Sequence, residues 1–260
     1  MINLGSHEVL MIILVIAIVL LSILLAGCSS SNSLSNVYLL SLEYTAKETS
    51  SSTEPGQVSS TIAHAIQNVS QTGNGTTLEV RAGYMGICVT QSHTGRRCSS
   101  NVQMLASSIQ STEDPLNLIM IANQFKEKIV FDGLIYLVVA LMFICFLVLS
   151  TFPGWHHEVD DDGSEREVKA FPSQMSIITC LLLTSTSFGF GLMSALWQHI
   201  NSSATATMTE ILTYGAISGR VGGVAMALGW LSTGLIAFTC IWLFVIILSI
   251  EFIRRLTDED

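Results

Sequence analysis

The chain has 260 residues, half of them hydrophobic and only 12% charged, whereas about a quarter of a soluble domain is charged. Its formal net charge is −9 and no basic stripe occurs, which argues against a nucleic-acid partner. A polybasic patch for anionic lipid is also missing, beyond the pair Arg254-Arg255.

A helix needs about 20 mostly apolar residues to cross the hydrocarbon core. Residues 9–26 are the first such run, after a short segment 1–8. The run ends in Leu25-Ala26-Gly27-Cys28, which is similar to a bacterial lipoprotein cleavage box. However, residues 1–8 lack a positive n-region and contain Glu8. The reading is an uncleaved first span with an ordinary cysteine at its end.

A long polar segment, 27–128, follows, with seven acidic residues against six basic ones. Residues 29–36 read as a hinge and 37–44 as a strand. Residues 49–61 read as a Ser/Thr-rich loop, and Asn74-Gly75 as a hairpin turn. Strands are expected at 78–84 and 86–90, then a polar turn over 91–97 closed by Cys98. Asp114-Pro115 opens an amphipathic stretch expected to run as helix straight into the second span.

The second, third and fourth spans fall at 129–152, 175–197 and 224–253. Residues 153–174 hold six acids against two bases, a local balance of −4. Residues 198–223 link the third and fourth spans, and 254–260 form the tail. The fourth run, about 30 residues at roughly 1.5 Å each, exceeds the core thickness and must tilt or protrude. Gly215, Gly219, Gly223 and Ala227 recur every fourth residue. That spacing reads as one small-residue helix face, packed inside the bundle in preference to forming an oligomer seam.

Three N-x-S/T sequons, at Asn68, Asn74 and Asn201, mark segments that would face the lumen or the exterior if glycosylated. Two lie between spans one and two, the third between spans three and four, so all share one side. Cys88 and Cys98 lie on that side too, and a disulfide persists only in an oxidising compartment. Among the short segments, Arg166, Lys169, Arg254 and Arg255 oppose Arg220 alone, in the same sense. The expected topology puts 27–128 and 198–223 outside, with both termini and the acidic 153–174 loop in the cytosol. A Cys88–Cys98 bridge would close a loop of about eleven residues, worth roughly 2–3 kcal/mol in the chain-entropy view.

Catalytic patterns are missing. His7, His64, His93, His156, His157 and His199 form no H-x-x-x-H or H-E-x-x-H spacing, and no G-x-S-x-G or Gly-rich phosphate loop occurs. The outer cysteines are too few for zinc. Asp160-Asp161-Asp162-Gly163 misplaces the glycine of an EF-hand loop. Ser164-x-x-Glu167 reads as a capping box or a phosphorylation site. The expectation is no enzyme, no cofactor and no metal. Within the spans Asp132 and Glu251 lie near the ends and nothing charged lies at mid-depth. Thr184, Ser185 and Thr186 offer hydroxyls, but such groups more often bond their own helix. Alone, the chain makes a poor pore or pump and a better partner subunit.

Four spans, a large first outer loop and a glycine-led motif ending in paired cysteines resemble the claudin superfamily. Within it, Leu25-Ala26-Gly27-Cys28, Gly83-Tyr84-Met85-Gly86-Ile87-Cys88 and Cys98 most resemble the fungal calcium regulator and membrane fusion protein family. The resemblance implies a membrane α-helical fold. A four-helix transmembrane bundle would carry a small disulfide-stapled antiparallel β-sheet in the first extracellular loop. It also implies a non-enzymatic plasma-membrane protein of the mating response, promoting low-affinity calcium influx and cell fusion. Its partners would be membrane lipid and a calcium channel or further copies of itself. Gly83, Tyr84, Gly86, Cys88 and Cys98 are then the motif residues, shaping the outer domain. True claudins carry tryptophan in their first loop, whereas Trp155, Trp197, Trp230 and Trp242 all lie outside it here. That difference argues against paracellular barrier formation. The alternative reading is a claudin-type adhesion protein or membrane organiser without an ion role. A third is a pore formed by the protein itself.

Overall fold

In the computed structural model, the described residues are 6–29, 34–44, 78–91, 95–109, 114–151, 155–159, 165–169, 174–213 and 215–258. The chain begins with α1 (Ser6–Leu25), β1 (Leu40–Tyr44), β2 (Glu79–Ala82), β3 (Ile87–Gln91) and β4 (Gly95–Ser99). It continues through α2 (Val102–Ser107), α3 (Leu118–Lys128), α4 (Gly133–Ser150), β5 (Trp155–Val159) and β6 (Glu165–Lys169). It ends with α5 (Gln174–Leu212), β7 (Ile217–Val221) and α6 (Gly223–Asp258). Helices α1, α4, α5 and α6 are each long and apolar enough to cross a membrane.

Two compact units divide the chain. One comprises Met1–Leu21, Gly133–Met193 and Trp230–Asp260; the other Ser22–Asp132 and Ser194–Gly229. In the first, the buried stripes follow helical spacing: Leu10, Leu14, Ala17 and Leu21 on α1, and Ile135, Val138, Met142, Cys145 and Leu149 on α4. Ile12, Val15 and Val19 on α1 are exposed, as expected of side chains that face lipid. Three buried hydroxyls of this unit are satisfied within their own helices. Thr184, Ser187 and Thr239 donate to the carbonyls of Cys180, Leu183 and Leu235 at 2.8–3.0 Å. Close helix approach occurs at Gly191, where an added Cβ would lie 3.6 Å from Thr233 Oγ1 and 3.9 Å from Ile236 Cδ1. The segment expected as an acidic loop contains the antiparallel hairpin β5–β6, with His157 opposite Glu167.

The second unit is built on a five-stranded antiparallel sheet of order β4-β3-β2-β1-β7. Period-2 alternation puts Leu40, Leu42, Val80, Ala82, Ile87 and Val89 on one face, all of them buried. Helix α3 packs on β1, β2 and β3 and buries Leu118, Ile119, Ala122 and Phe125. Helix α2 packs on α3 and β4.

Four expectations need correction. The polar turn at 91–97 is shorter than read, because residues 95–99 form β4, drawn into the ladder opposite β3. The amphipathic helix does not run straight into the second span. It stops at Lys128, and α4 starts at Gly133. The Ile129 carbonyl, which a continuing helix would offer to residue 133, instead accepts the indole N–H of Trp197 at 2.9 Å. The segment after residue 197 is not a loop from its start, since α5 continues to Leu212. There Thr207, Thr209 and Thr213 turn their hydroxyls back onto the carbonyls four residues earlier, so a polar run stays helical.

The glycine face of the fourth span is the last correction. Gly215 sits in a turn at φ +77°, Gly219 lies in β7, and only Gly223 belongs to α6. Their fourfold spacing is not a helix face. Gly219 instead lets β7 meet the backbone of α5, where an added Cβ would lie 2.6 Å from Ala206 O. The expected loop at 49–61, the Asn74-Gly75 turn, Asn68, residues 30–33 of the hinge, Asp160-Asp161-Asp162 and Ser164 lie outside the described residues.

Candidate functional site

The glycine-led motif forms the turn between β2 and β3, closed by the Gly83 N–H donating to Gly86 O at 2.9 Å. Both glycines press on the turn that follows α1. A Cβ on Gly83 would lie 2.5 Å from Gly27 O and 2.9 Å from Cys28 Cβ, and one on Gly86 would collide with Cys28 O. The two segments that carry the family resemblance therefore meet backbone to backbone. Cys28 adopts φ +55° and is fully buried, its Sγ 3.5 Å from Val37 O. Burial pushes its thiol up to about 12, and the nearby charges of Arg81 and Arg96 only partly oppose this. Such a thiol is not a nucleophile at neutral pH.

Cys88 and Cys98 stand directly opposite each other on β3 and β4 and are joined by a disulfide, with Cα atoms 4.0 Å apart. Tyr84, buried within the motif, donates its hydroxyl to Gln198 Oε1 on α5 at 2.9 Å. Burial pushes this phenol above its ordinary value. Gln198 Nε2 and Ser202 Oγ are buried and have no hydrogen-bond partner among the described residues. They border a cavity of about 10 Å³ together with Tyr84, Phe125 and Trp197.

The opposite face of the sheet carries a charged clamp that sequence reasoning missed. Arg81 pairs with Glu79 at 2.8 Å, donates to Asn36 Oδ1 at 3.0 Å and to Ser35 O at 3.3 Å. Its guanidinium carbon lies 4.8 Å from the centroid of the Tyr38 ring. Arg96 donates to Ser35 Oγ at 2.6 Å and Ser41 to Glu79 Oε1 at 2.7 Å. Burial pushes the Glu79 carboxyl up. The hydrogen bonds from Arg81 and Ser41, with the charges of Arg81 and Arg96, outweigh that and hold it below its ordinary value. The alternation of Glu79 and Arg81 along one strand was the available signal.

Asp114, read from the sequence as opening the amphipathic helix, has a further partner that the sequence did not reveal. Its carboxylate accepts from Tyr44 OH at 2.8 Å and from the Leu118 and Ile119 N–H groups at 2.7 and 3.2 Å. It thereby caps α3, a task Asn117, at φ +53°, does not perform.

The remaining sequence candidates are dispersed. Asn201 lies on α5 rather than in a loop, its side-chain amide donating to Trp197 O at 2.8 Å. Thr184 and Thr186 bond back to their own helix, and Ser185 contacts Cys240 Sγ at 3.2 Å. Glu251 pairs with Arg255 at 3.3 Å. Among the described residues, no three His, Cys, Asp or Glu side chains converge as a metal would require. What the arrangement provides is a stapled platform. Its turn is locked to the end of α1 by two glycines and to α5 by one tyrosine.

A family model described as the Ca2+ regulator and membrane fusion protein Fig1 matches residues 64–249, well over half of the chain. No curated protein matches it.

Proposed function

The chain belongs to the family of the Ca2+ regulator and membrane fusion protein Fig1, and from that membership we propose that it is a multi-pass plasma-membrane protein of fungal mating. It promotes low-affinity calcium influx and the fusion of mating cells, without catalysing a reaction. The sheet unit faces outward, and both termini and the β5–β6 hairpin face the cytosol. It acts on calcium entry as the partner of a channel, in contact with lipid and with further copies of itself. Gly83, Tyr84, Gly86, Cys88 and Cys98 shape the outward platform, and Asn68, Asn74 and Asn201 carry glycans.

The observation that carries this reading is the packing of Gly83 and Gly86 on Gly27 and Cys28. It gives the family-like motif a structural task outside the spans, as a recognition platform would need. The spans supply no competing chemistry, with no charged residue at mid-depth. The test is calcium uptake and mating-cell fusion in cells lacking the protein. Both should fall, and return with the natural chain but not with Cys88→Ser at equal surface level. Unchanged uptake in the deletion strain would remove the calcium role.

A further inference from the structure

Two buried polar groups of the sheet unit call for a partner. Tyr84, Gln198 and Ser202 are 5%, 6% and 1% exposed. The Tyr84 hydroxyl donates to Gln198 Oε1. Gln198 Nε2 and Ser202 Oγ bond to none of the described residues. Gln198 and Ser202 lie at i and i+4 on α5 and so share one side of the helix.

Other hydroxyls of α5 turn back onto their own helix. Thr184, Ser187, Thr209 and Thr213 each donate to the carbonyl four residues earlier, at 2.7–2.9 Å. The Ser202 hydroxyl makes no such bond. A buried amide N–H or hydroxyl that bonds nothing costs free energy, so this side of α5 needs a further group that can pair with both.

Size, charge and bonding select that group. The cavity bordered by Tyr84, Gln198 and Ser202 measures about 10 Å³. That is the lower end of the roughly 10–15 Å³ that one water needs, and too little for a lipid tail or any methyl-bearing ligand. Its lining, with Phe125 and Trp197, contains no charged side chain, so an ion would lose its hydration for no opposing charge. The amide N–H requires an acceptor, and the hydroxyl takes either sense of bond; a water meets both at once. We propose that one water molecule is a built-in component of the sheet unit, accepting from Gln198 Nε2 and bonded to Ser202 Oγ. It extends the Tyr84–Gln198 bond into a chain from Tyr84 through Gln198 and the water to Ser202. That chain ties the glycine-led motif to two successive turns of α5. The site belongs to this unit alone and depends on neither the sidedness of the chain nor its role in calcium entry.

The full natural chain in nanodiscs is exposed to pulsed X-rays, which generate hydroxyl radicals from bound water, and oxidised side chains are mapped by mass spectrometry. Tyr84 should be oxidised several-fold faster than Tyr44, which is equally buried at 4% exposure but does not line the cavity. Phe125, buried on the cavity wall, should be oxidised with it. Protection of Tyr84 equal to that of Tyr44 overturns the proposal. A second measurement rests on sign. Removing a hydroxyl that holds a water breaks a bond, whereas removing one that bonds nothing relieves a cost. Ser203→Ala, at a half-buried neighbouring position, corrects for the gain in helix propensity. In protein freed of N-glycans, Ser202→Ala should melt about 2–4 °C below Ser203→Ala. A melting temperature for Ser202→Ala equal to or above that of Ser203→Ala overturns the proposal as well.

Discussion

Gly86 is backed directly against the carbonyl oxygen of Cys28, leaving no room for a side chain between the β2–β3 turn and the turn after α1. The contact is backbone on backbone, so neither partner can yield by changing rotamer. Gly86→Ala should destabilise the protein by about 1–3 kcal/mol, the usual scale for overpacking. Gly189→Ala, with nothing within 4 Å of the added Cβ, should be neutral or gain up to about 1 kcal/mol from helix propensity. Thermal unfolding of both variants in detergent reads the difference.

Cys88→Ser should lower stability by about 2–3 kcal/mol, the loop-closure value for a short bridge. Cys98→Ser should cost the same, and the double variant no more, because one bond is lost in each case. A double variant that loses twice as much in denaturant titration would count against a single shared bridge.

Asp114→Ala should destabilise by about 1–2 kcal/mol, the scale of a lost N-cap, while Asp114→Asn retains much of the cap. Tyr44→Phe removes both the donor to Asp114 and the acceptor for the Leu116 N–H at 3.0 Å, costing about 1 kcal/mol. Because the two residues share bonds, a double-mutant cycle should show clear non-additivity.

The depressed carboxyl of Glu79 makes the sheet unit acid-sensitive. In the unfolded chain this group titrates near about 4.3. Its stabilising contribution is complete above that pH and is lost as pH falls through the lower folded value. Melting temperature should therefore drop on acidification below about pH 4.3, and Glu79→Gln should flatten that drop. An unchanged slope in the variant would show that other carboxylates carry it.

Cys28 should resist alkylation while the protein is folded. It is fully buried and its thiol is pushed up to about 12, so almost no thiolate exists at pH 8. Mass spectrometry after N-ethylmaleimide treatment should find it unlabelled, and labelled after denaturation.

Hydropathy alone located all four spans, because a bilayer selects apolar length whatever a run's neighbours are. The helix starts and stops were less legible. The polar stretch from Asn201 to Glu210 resembles a loop in composition, yet α5 passes through it. Its threonines satisfy themselves on the helix, and Ala206 is pinned by β7. The strands at 78–84 and 86–90 were readable from local alternation and appear as β2 and β3. Residues 95–99 were not, since Gly95-Arg96-Arg97 has little strand propensity and is held by its ladder to β3.

By itself, the sequence determined the membrane class, the number of spans and the cysteine motif, because each depends on local composition or on residues close in the chain. Only the tertiary structure decided that β7 completes a sheet begun by β1, pairing Leu40 with Val221. The same holds for Gly27-Cys28 meeting Gly83 and Gly86, and for Tyr84 reaching Gln198. These are non-local contacts. Their free energy arises when distant backbones close on one another, and a one-dimensional pattern of residue types does not encode which distant partner will be met.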